Sequence, residues 1–255
     1  MPTRIEIGNE SKVFLIRLVF LLFILLVWEI GARFWVDPMF LSPPSKVFSS
    51  LPTLVNKPGV AKALGIMVSE LALAFIGSVI IGTVIGLMIG LRSTSRKQFL
   101  PIVLLLYGTP QITILPVIML MAGVGFSSKV TFGITHGVFP VILTICSSLQ
   151  NINPIYLRTA LSLGASKWQT FKFILLPAIL PNFFNGIRLS LVASLLGVLL
   201  AELFASSSGI GFFTRQFTES FDPTSLFALI LIVVLISVSA NTLLTQVQHH
   251  VSRKS

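Results

Sequence analysis

Apolar residues in this 255-residue chain gather into six long runs separated by short polar stretches. The runs lie near Val13–Trp35, Leu64–Leu91, Phe99–Met121, Val130–Leu149, Phe183–Phe204 and Leu226–Val247. Each is close to the roughly 20 residues a helix needs to cross a hydrocarbon core. No water reaches backbone N–H and C=O groups there, so runs of this length predict helices. Lys12 and Arg17 ahead of Leu18–Val27 give the first run the outline of a secretory signal. Trp28, Glu29 and Ile30 follow in place of a small-residue cleavage site, so the pattern predicts an uncleaved helix. Between the fourth and fifth runs, Ile155, Leu157 and Leu161 repeat at helical spacing with no breaker up to Leu163. Gly164, with small neighbours Ala165 and Ser166, predicts a stop or bend. A second short helix is predicted from Lys167 to Leu176, with Pro177 and Pro181 stopping it before the fifth run.

Composition narrows the class. Hydrophobic residues make up 54% of the chain and charged ones 10%, with a mean hydropathy of +0.95. Soluble domains carry about 25% charged residues, so this chain cannot cover a water-facing surface of its size. The expected fold is all-α, a polytopic membrane bundle of about six transmembrane helices with no room for an attached soluble enzyme. The single cysteine, Cys146, lies inside an apolar run, which excludes an internal disulfide and a thiolate metal cluster.

The net charge of +10 changes meaning once it is divided by side. Six crossings put both termini, Arg92–Phe99 and Gln150–Asn182 on one side, with Arg17 and Arg188 at helix ends. That side holds twelve Lys and Arg against two acids, Glu6 and Glu10, and the other holds six against six. The positive-inside bias therefore predicts cytoplasmic termini and reads the basic excess as topology, with no nucleic-acid partner. The expected organisation is a cytoplasmic N-terminus at residues 1–12, a transmembrane domain at 13–247 with a cytoplasmic loop at about 150–182, and a cytoplasmic tail at 248–255.

The loop carries the most specific pattern. Arg158-Thr159-Ala160, three residues, Gly164, nine residues and Ile174-Leu175-Leu176-Pro177 resemble the loop E-A-A-x3-G-x9-I-x-L-P of the permease subunits of bacterial binding-protein-dependent ABC importers. The spacing is complete, while arginine and threonine replace the first glutamate and alanine. Leu41-Ser42-Pro43-Pro44-Ser45, Gly108-Thr109-Pro110-Gln111 with Leu115-Pro116, and Ala201-Glu202 with Ser207-Ser208-Gly209-Ile210-Gly211 resemble stretches of the nitrate, sulfonate and taurine branch of that family. The resemblance implies a MetI-like permease fold in the bacterial inner membrane. It also implies a second copy of the chain, two cytoplasmic ATPases and an extracytoplasmic solute-binding protein. Arg158, Thr159, Ala160, Gly164, Ala165, Ile174, Leu176 and Pro177 would couple the permease to its ATPase. The solute it implies is a small anion such as nitrate, a sulfonate, taurine or bicarbonate, with a neutral pyrimidine-type heterocycle also open. The reversed charge at Arg158 suggests a dedicated ATPase.

No G-x-x-x-x-G-K-[ST] occurs, and the nearest stretch, Gly123 to Lys129, has the wrong spacing. The chain is therefore expected to bind no nucleotide or other cofactor, ATP and magnesium belonging to the partner ATPase. No metal-ligand cluster or nucleophile–base pair is seen, so an enzyme is not expected. Pro110 and Pro116 break the third run, and Thr109, Pro110, Gln111 and Thr113 are candidates for lining a path, since carbonyls freed by proline need protein or water. His136, an ionisable residue in the fourth run, is a further candidate. Each has a plainer reading as helix packing. Gly82, Gly86 and Gly90 recur every four residues and predict a close helix contact, within one chain or between two. Glu70 and Glu202 are expected near outer helix ends, pairing with Arg33, Arg215 or water. The rival function is an ion-coupled secondary transporter, which ordinarily places ionisable or unwound sites at the midplane. A channel would conduct with no ATPase at all.

Overall fold

The computed structural model describes residues 4–205 and 208–252. Arg253, Lys254, Ser207 and the ends of the expected cytoplasmic tails lie outside the described residues. Among the described residues there are eleven α-helices and no strand. They are α1 (Arg4–Phe34), α2 (Pro44–Val55), α3 (Val60–Gly90), α4 (Ser93–Gly108), α5 (Leu115–Ala122), α6 (Phe126–Gln150), α7 (Pro154–Ser162), α8 (Lys167–Thr170), α9 (Leu176–Ala205), α10 (Ile210–Glu219) and α11 (Pro223–Ser252). Among the described residues five helical stretches are long and apolar enough to cross a membrane: Lys12–Phe34, Val60–Gly90, Phe126–Gln150, Lys167–Phe204 (α8 continuing into α9) and Pro223–Gln248. The expected third span is not one straight helix. Its halves, Ser93–Gly108 and Gln111–Ala122, bend by 87°.

Two compact units emerge. One contains the chain up to Ala61 with Phe213–Val233. In it, α1 is tied to the start of α2 by Glu29, which accepts hydrogen bonds from the Ser45 backbone N–H at 3.0 Å and the Ser45 hydroxyl at 2.8 Å. Ser45 lies in the first turn of α2, where N–H groups lack helical partners and a carboxylate favours the positive end of the helix dipole. Arg33 completes the tie, with Nε 2.5 Å from Glu29 Oε1. Trp28 packs on Phe227, and Lys57 sits 4.5 Å above the Phe217 ring.

The other unit runs from Lys62 to Phe212 and takes up the chain again at Val234. Its centre is α6, which meets α3 on one side and α9 on the other through small residues. A Cβ added at Gly82 would lie 2.8 Å from Val141 Cβ and 2.9 Å from the Val138 carbonyl. Gly86 stands in the same relation to Ile142 and Ile145, and Gly90 to Cys146 and Leu149. The four-residue glycine stripe thus packs on α6 of its own chain. On the other side Gly133 and Gly137 of α6 admit Ser194 and Val198 of α9, and Gly197 of α9 lies against Gly133 and His136. With no hydrophobic drive between helices in lipid, backbone proximity of this kind supplies the van der Waals attraction. Gly82→Val is expected to push α3 off α6, since the obstructing atoms include backbone. A loss of about 1–3 kcal/mol is expected, read as a lower unfolding temperature in detergent than that of an exposed control, Ile80→Val.

One expectation about the chain after α7 needs correction. Pro177 and Pro181 do not stop a helix before the fifth span. The chain passes from α8 through a single π-helical turn, Phe171–Leu175, directly into α9, with Pro177 in its first turn and Pro181 inside it. Pro177 offers no N–H to the turn before it, and that loss falls where the helix changes register. The π turn absorbs the change of register.

Candidate functional site

The hairpin made by α7 and α8 is built almost wholly from local hydrogen bonds. Asn153 caps α7 by accepting from the Ile155 N–H at 3.0 Å, and Pro154 occupies the first helical position. At the other end Gly164 has φ +72°, a left-handed conformation that costs glycine little. Its N–H donates to the Leu161 carbonyl at 3.0 Å, and the Ala165 N–H donates to the Ala160 carbonyl at 2.9 Å. Those two bonds define a Schellman cap, with Ala160 three residues inside the helix end and Gly164 just past it. The sequence spacing of alanine, three residues and glycine is thus the spacing of this cap. Ser166 then starts α8 with a reciprocal capping box: Gln169 N–H donates to Ser166 Oγ at 3.2 Å, and Ser166 N–H donates to Gln169 Oε1 at 2.8 Å.

The hairpin is anchored on one side and bare on the other. Ile179, with Ile152 and Leu175 beside it, packs on Val141, Ile145 and Leu149 of α6. Ala160 is buried, whereas Leu161, Leu163 and Trp168 are 72%, 80% and 67% exposed. No heavy atom lies within 4 Å of where a Cβ at Gly164 would be. A shallow concavity of about 360 Å³ runs beside the turn, lined by Leu163, Gly164, Ala165, Gln169 and Phe173 among others. Arg158 and Thr159 are exposed, as are Lys167 and Lys172. The candidate coupling residues therefore occupy one structural unit. Ile174 falls in its π turn, and Leu176 and Pro177 at the start of α9.

The bend between α4 and α5 gathers the path candidates Thr109, Pro110, Gln111 and Thr113. Thr109 is extended (φ −77°, ψ 147°), the conformation a following proline imposes. Gln111–Ile114 form one 3₁₀ turn before α5 begins. Thr109 and Thr113 are exposed and turn their hydroxyls back to the carbonyls of Leu106 (2.7 Å) and Pro110 (2.8 Å). Gln111 Oε1 is buried with no hydrogen-bond partner among the described residues. α5 is seated by Leu115, which packs with Phe132 and Ala201. His136 belongs to a different environment. It is enclosed, its ring edge-on to Phe132 at 4.5 Å and its Nδ1 3.1 Å from the Phe132 carbonyl. Arg188 is half-buried on α9 and hydrogen-bonded to Gln248 of α11.

A third constellation was not expected. Lys129, in the first turn of α6, is 1% exposed, and its Nζ lies 3.0 Å from Glu70 Oε1 of α3 and 3.8 Å from Glu202 Oε1 of α9. Both carboxylates are wholly buried. Glu70 and Glu202 therefore pair with Lys129, in place of the arginines or water anticipated for them. The cluster also holds the chain after α9. Lys129 donates to the Ser208 carbonyl at 3.0 Å, and Glu202 Oε2 accepts the Gly211 N–H at 2.8 Å, at the start of α10. Gly209 has φ +100° and lies so close to Glu202 that no side chain would fit. The available signal was numerical: six cations and six acids on that side of the chain invite pairing, but no spacing rule says which.

Comparison with known proteins bears on what these elements serve. Residues 78–254 match the family model described as binding-protein-dependent transport system inner membrane component. The taurine transport system permease protein TauC of Escherichia coli is 28% identical over 215 residues, covering 82% of this chain and 78% of its own. The formylaminopyrimidine transport permease protein ThiX of Halalkalibacterium halodurans is 26% identical over 86% of this chain and 88% of its own. The nitrate import permease protein NrtB of a Synechocystis species is 26% identical over 74% of this chain and 72% of its own. Among solved structures, a chain of the inward-facing MetNI methionine ABC transporter superposes with a TM-score of 0.59 at 18% identity, over 72% of this chain and 92% of its own.

Proposed function

The chain belongs to the binding-protein-dependent transport system inner membrane components, and from that premise we propose that it forms one half of the translocation path of an ATP-driven importer. Two copies enclose the path, each docks one cytoplasmic ATPase on its α7–α8 hairpin, and an extracytoplasmic binding protein delivers the solute. The termini and the hairpin face the cytoplasm, in line with the twelve-to-six excess of Lys and Arg. The solute is a small anion of the taurine, sulfonate or nitrate kind, since two of these relatives are named for taurine and for nitrate. The pyrimidine permease among them keeps a neutral heterocycle as the runner-up solute.

The observation that carries this reading is the hairpin. A turn capped at both helices, with large apolar side chains outward and a bare glycine at its tip, satisfies its own backbone and leaves its surface for a partner. The bend at Thr109 and Pro110 supports the path assignment. Gln111 Oε1, buried there without a partner among the described residues, needs a donor from water, the solute or the second copy, since lipid offers none. His136 is taken as a packing residue, because its ring is enclosed by Phe132 and Gly197.

Solute uptake by cells carrying the complete system is the test. Uptake is expected to persist when a protonophore collapses the ion gradient while ATP stays high. Loss of uptake under those conditions would replace this reading with a secondary transporter. For the path, Gln111→Leu and Thr113→Val are expected to change uptake several-fold, with the ATPase still bound in detergent. Wild-type uptake by both variants would remove the bend from the path.

A further inference from the structure

Between Glu70 and Glu202 the sequence contains no aspartate or glutamate, yet it contains eight Lys and Arg. Several of these eight have fixed partners. Lys129 is held by the buried carboxylates, Arg96 donates to the Gly90 carbonyl at 2.9 Å, and Arg188 binds Gln248. Arg158 of α7, Lys167 of α8 and Lys172 of the π turn, whose Nζ lies 5.4 Å over the Phe173 ring, instead stand exposed where no acid of the hairpin balances them. We propose that the surface receiving this hairpin is an acidic groove of the ATPase, whose carboxylates pair with Arg158, Lys167 and Lys172 around an apolar centre filled by Leu161, Leu163 and Trp168. The inference rests on the importer reading and adds the chemistry of the partner to it.

The layout is that of a protein interface: an apolar middle with charge at the edge. Edge charges contribute more to partner choice and encounter rate than to raw affinity, and a like charge placed opposite is penalised strongly. A groove presenting Lys or Arg opposite Arg158 is therefore rejected, and Arg158 selects among ATPases. Anionic lipid would also attract these cations. The turn argues for a protein, since its backbone groups are already bonded within the hairpin and its tip is a rigid, side-chain-free shape beside a defined concavity. A fluid headgroup layer has no use for such a shape.

The test uses the full-length tagged chain purified in mild detergent, with the ATP hydrolysis that accompanies it as the readout. A carbodiimide, which joins an amine to a touching carboxylate with no spacer, is applied and the links are mapped by mass spectrometry. Links from Lys167 or Lys172 to Asp or Glu of the ATPase are expected. Recovered hydrolysis is expected to fall with rising salt and to drop about tenfold in R158E, with R158Q in between and all variants eluting as the wild type does. Hydrolysis retained by R158E at every salt concentration, with no link at either lysine, overturns the acidic groove while leaving the importer reading standing. R158E that keeps its ATPase but loses retention on phosphatidylglycerol vesicles assigns the cations to lipid and equally overturns it. A wild-type chain that carries no hydrolysis at all overturns the importer reading and this inference with it.

Discussion

Lys129→Met lowers stability by about 3–5 kcal/mol, the usual cost of removing one partner from a buried ion pair. The variant leaves the Glu70 and Glu202 carboxylates facing one another in a region sealed from water, since all three side chains are at most 1% exposed. Its effects also spread along the chain. Lys129 holds the Ser208 carbonyl, and Glu202 caps the start of α10 through the Gly211 N–H. Thermal unfolding in detergent should show a drop of about 10 °C or more, and limited proteolysis should open the chain near residue 208. Adding Glu70→Gln and Glu202→Gln to Lys129→Met is expected to regain most of the loss, because what is costly is the unpaired charge rather than the missing bridge. A triple variant no more stable than Lys129→Met would mean that packing of the lysine stem, and not charge, dominates.

Gly164→Asp is expected to abolish ATP-driven uptake, at least tenfold below wild type, while the chain still inserts in the membrane. The space around Gly164 is open, so no steric clash within the chain is involved. Two effects remain. A side chain at φ +72° strains the Schellman cap, though aspartate tolerates the left-handed region better than most residues. A bulky charge at the bare tip also blocks whatever backbone approaches it. Gly164→Asn isolates the charge, because asparagine and aspartate have the same shape and tolerate the left-handed region alike. With the hairpin as the docking site, Asn is expected to keep the cap and lose part of the transport, whereas Asp loses the transport and the co-purifying ATPase. Full uptake by a well-expressed Gly164→Asp chain would remove the hairpin from the coupling mechanism.

The membrane class and the number of hydrophobic spans follow from the sequence alone, because a run of about 20 apolar residues leaves the backbone one way to satisfy its polar groups. The hairpin was equally legible: Gly164 ends α7 and Lys167 opens α8, since caps depend on residues only a few positions apart. The capping box of Ser166 and Gln169 was readable by the same rule. Tertiary structure decided the rest. The glycine stripe on α3 could have served a neighbour in another chain, and only the fold directs it to Val138, Val141 and Ile145 of α6. Thr109 and Pro110 announced a break but not a bend of 87°, which depends on where Leu115 finds Phe132 and Ala201. Pro177 and Pro181 looked like stops until a π turn and a long apolar helix ran through them. The pairing of Lys129 with Glu70 and Glu202 joins residues 59 and 73 positions away from the lysine in sequence. Local hydrogen bonding and composition are written in short stretches of sequence, whereas a buried charge takes its partner from whichever helices pack around it.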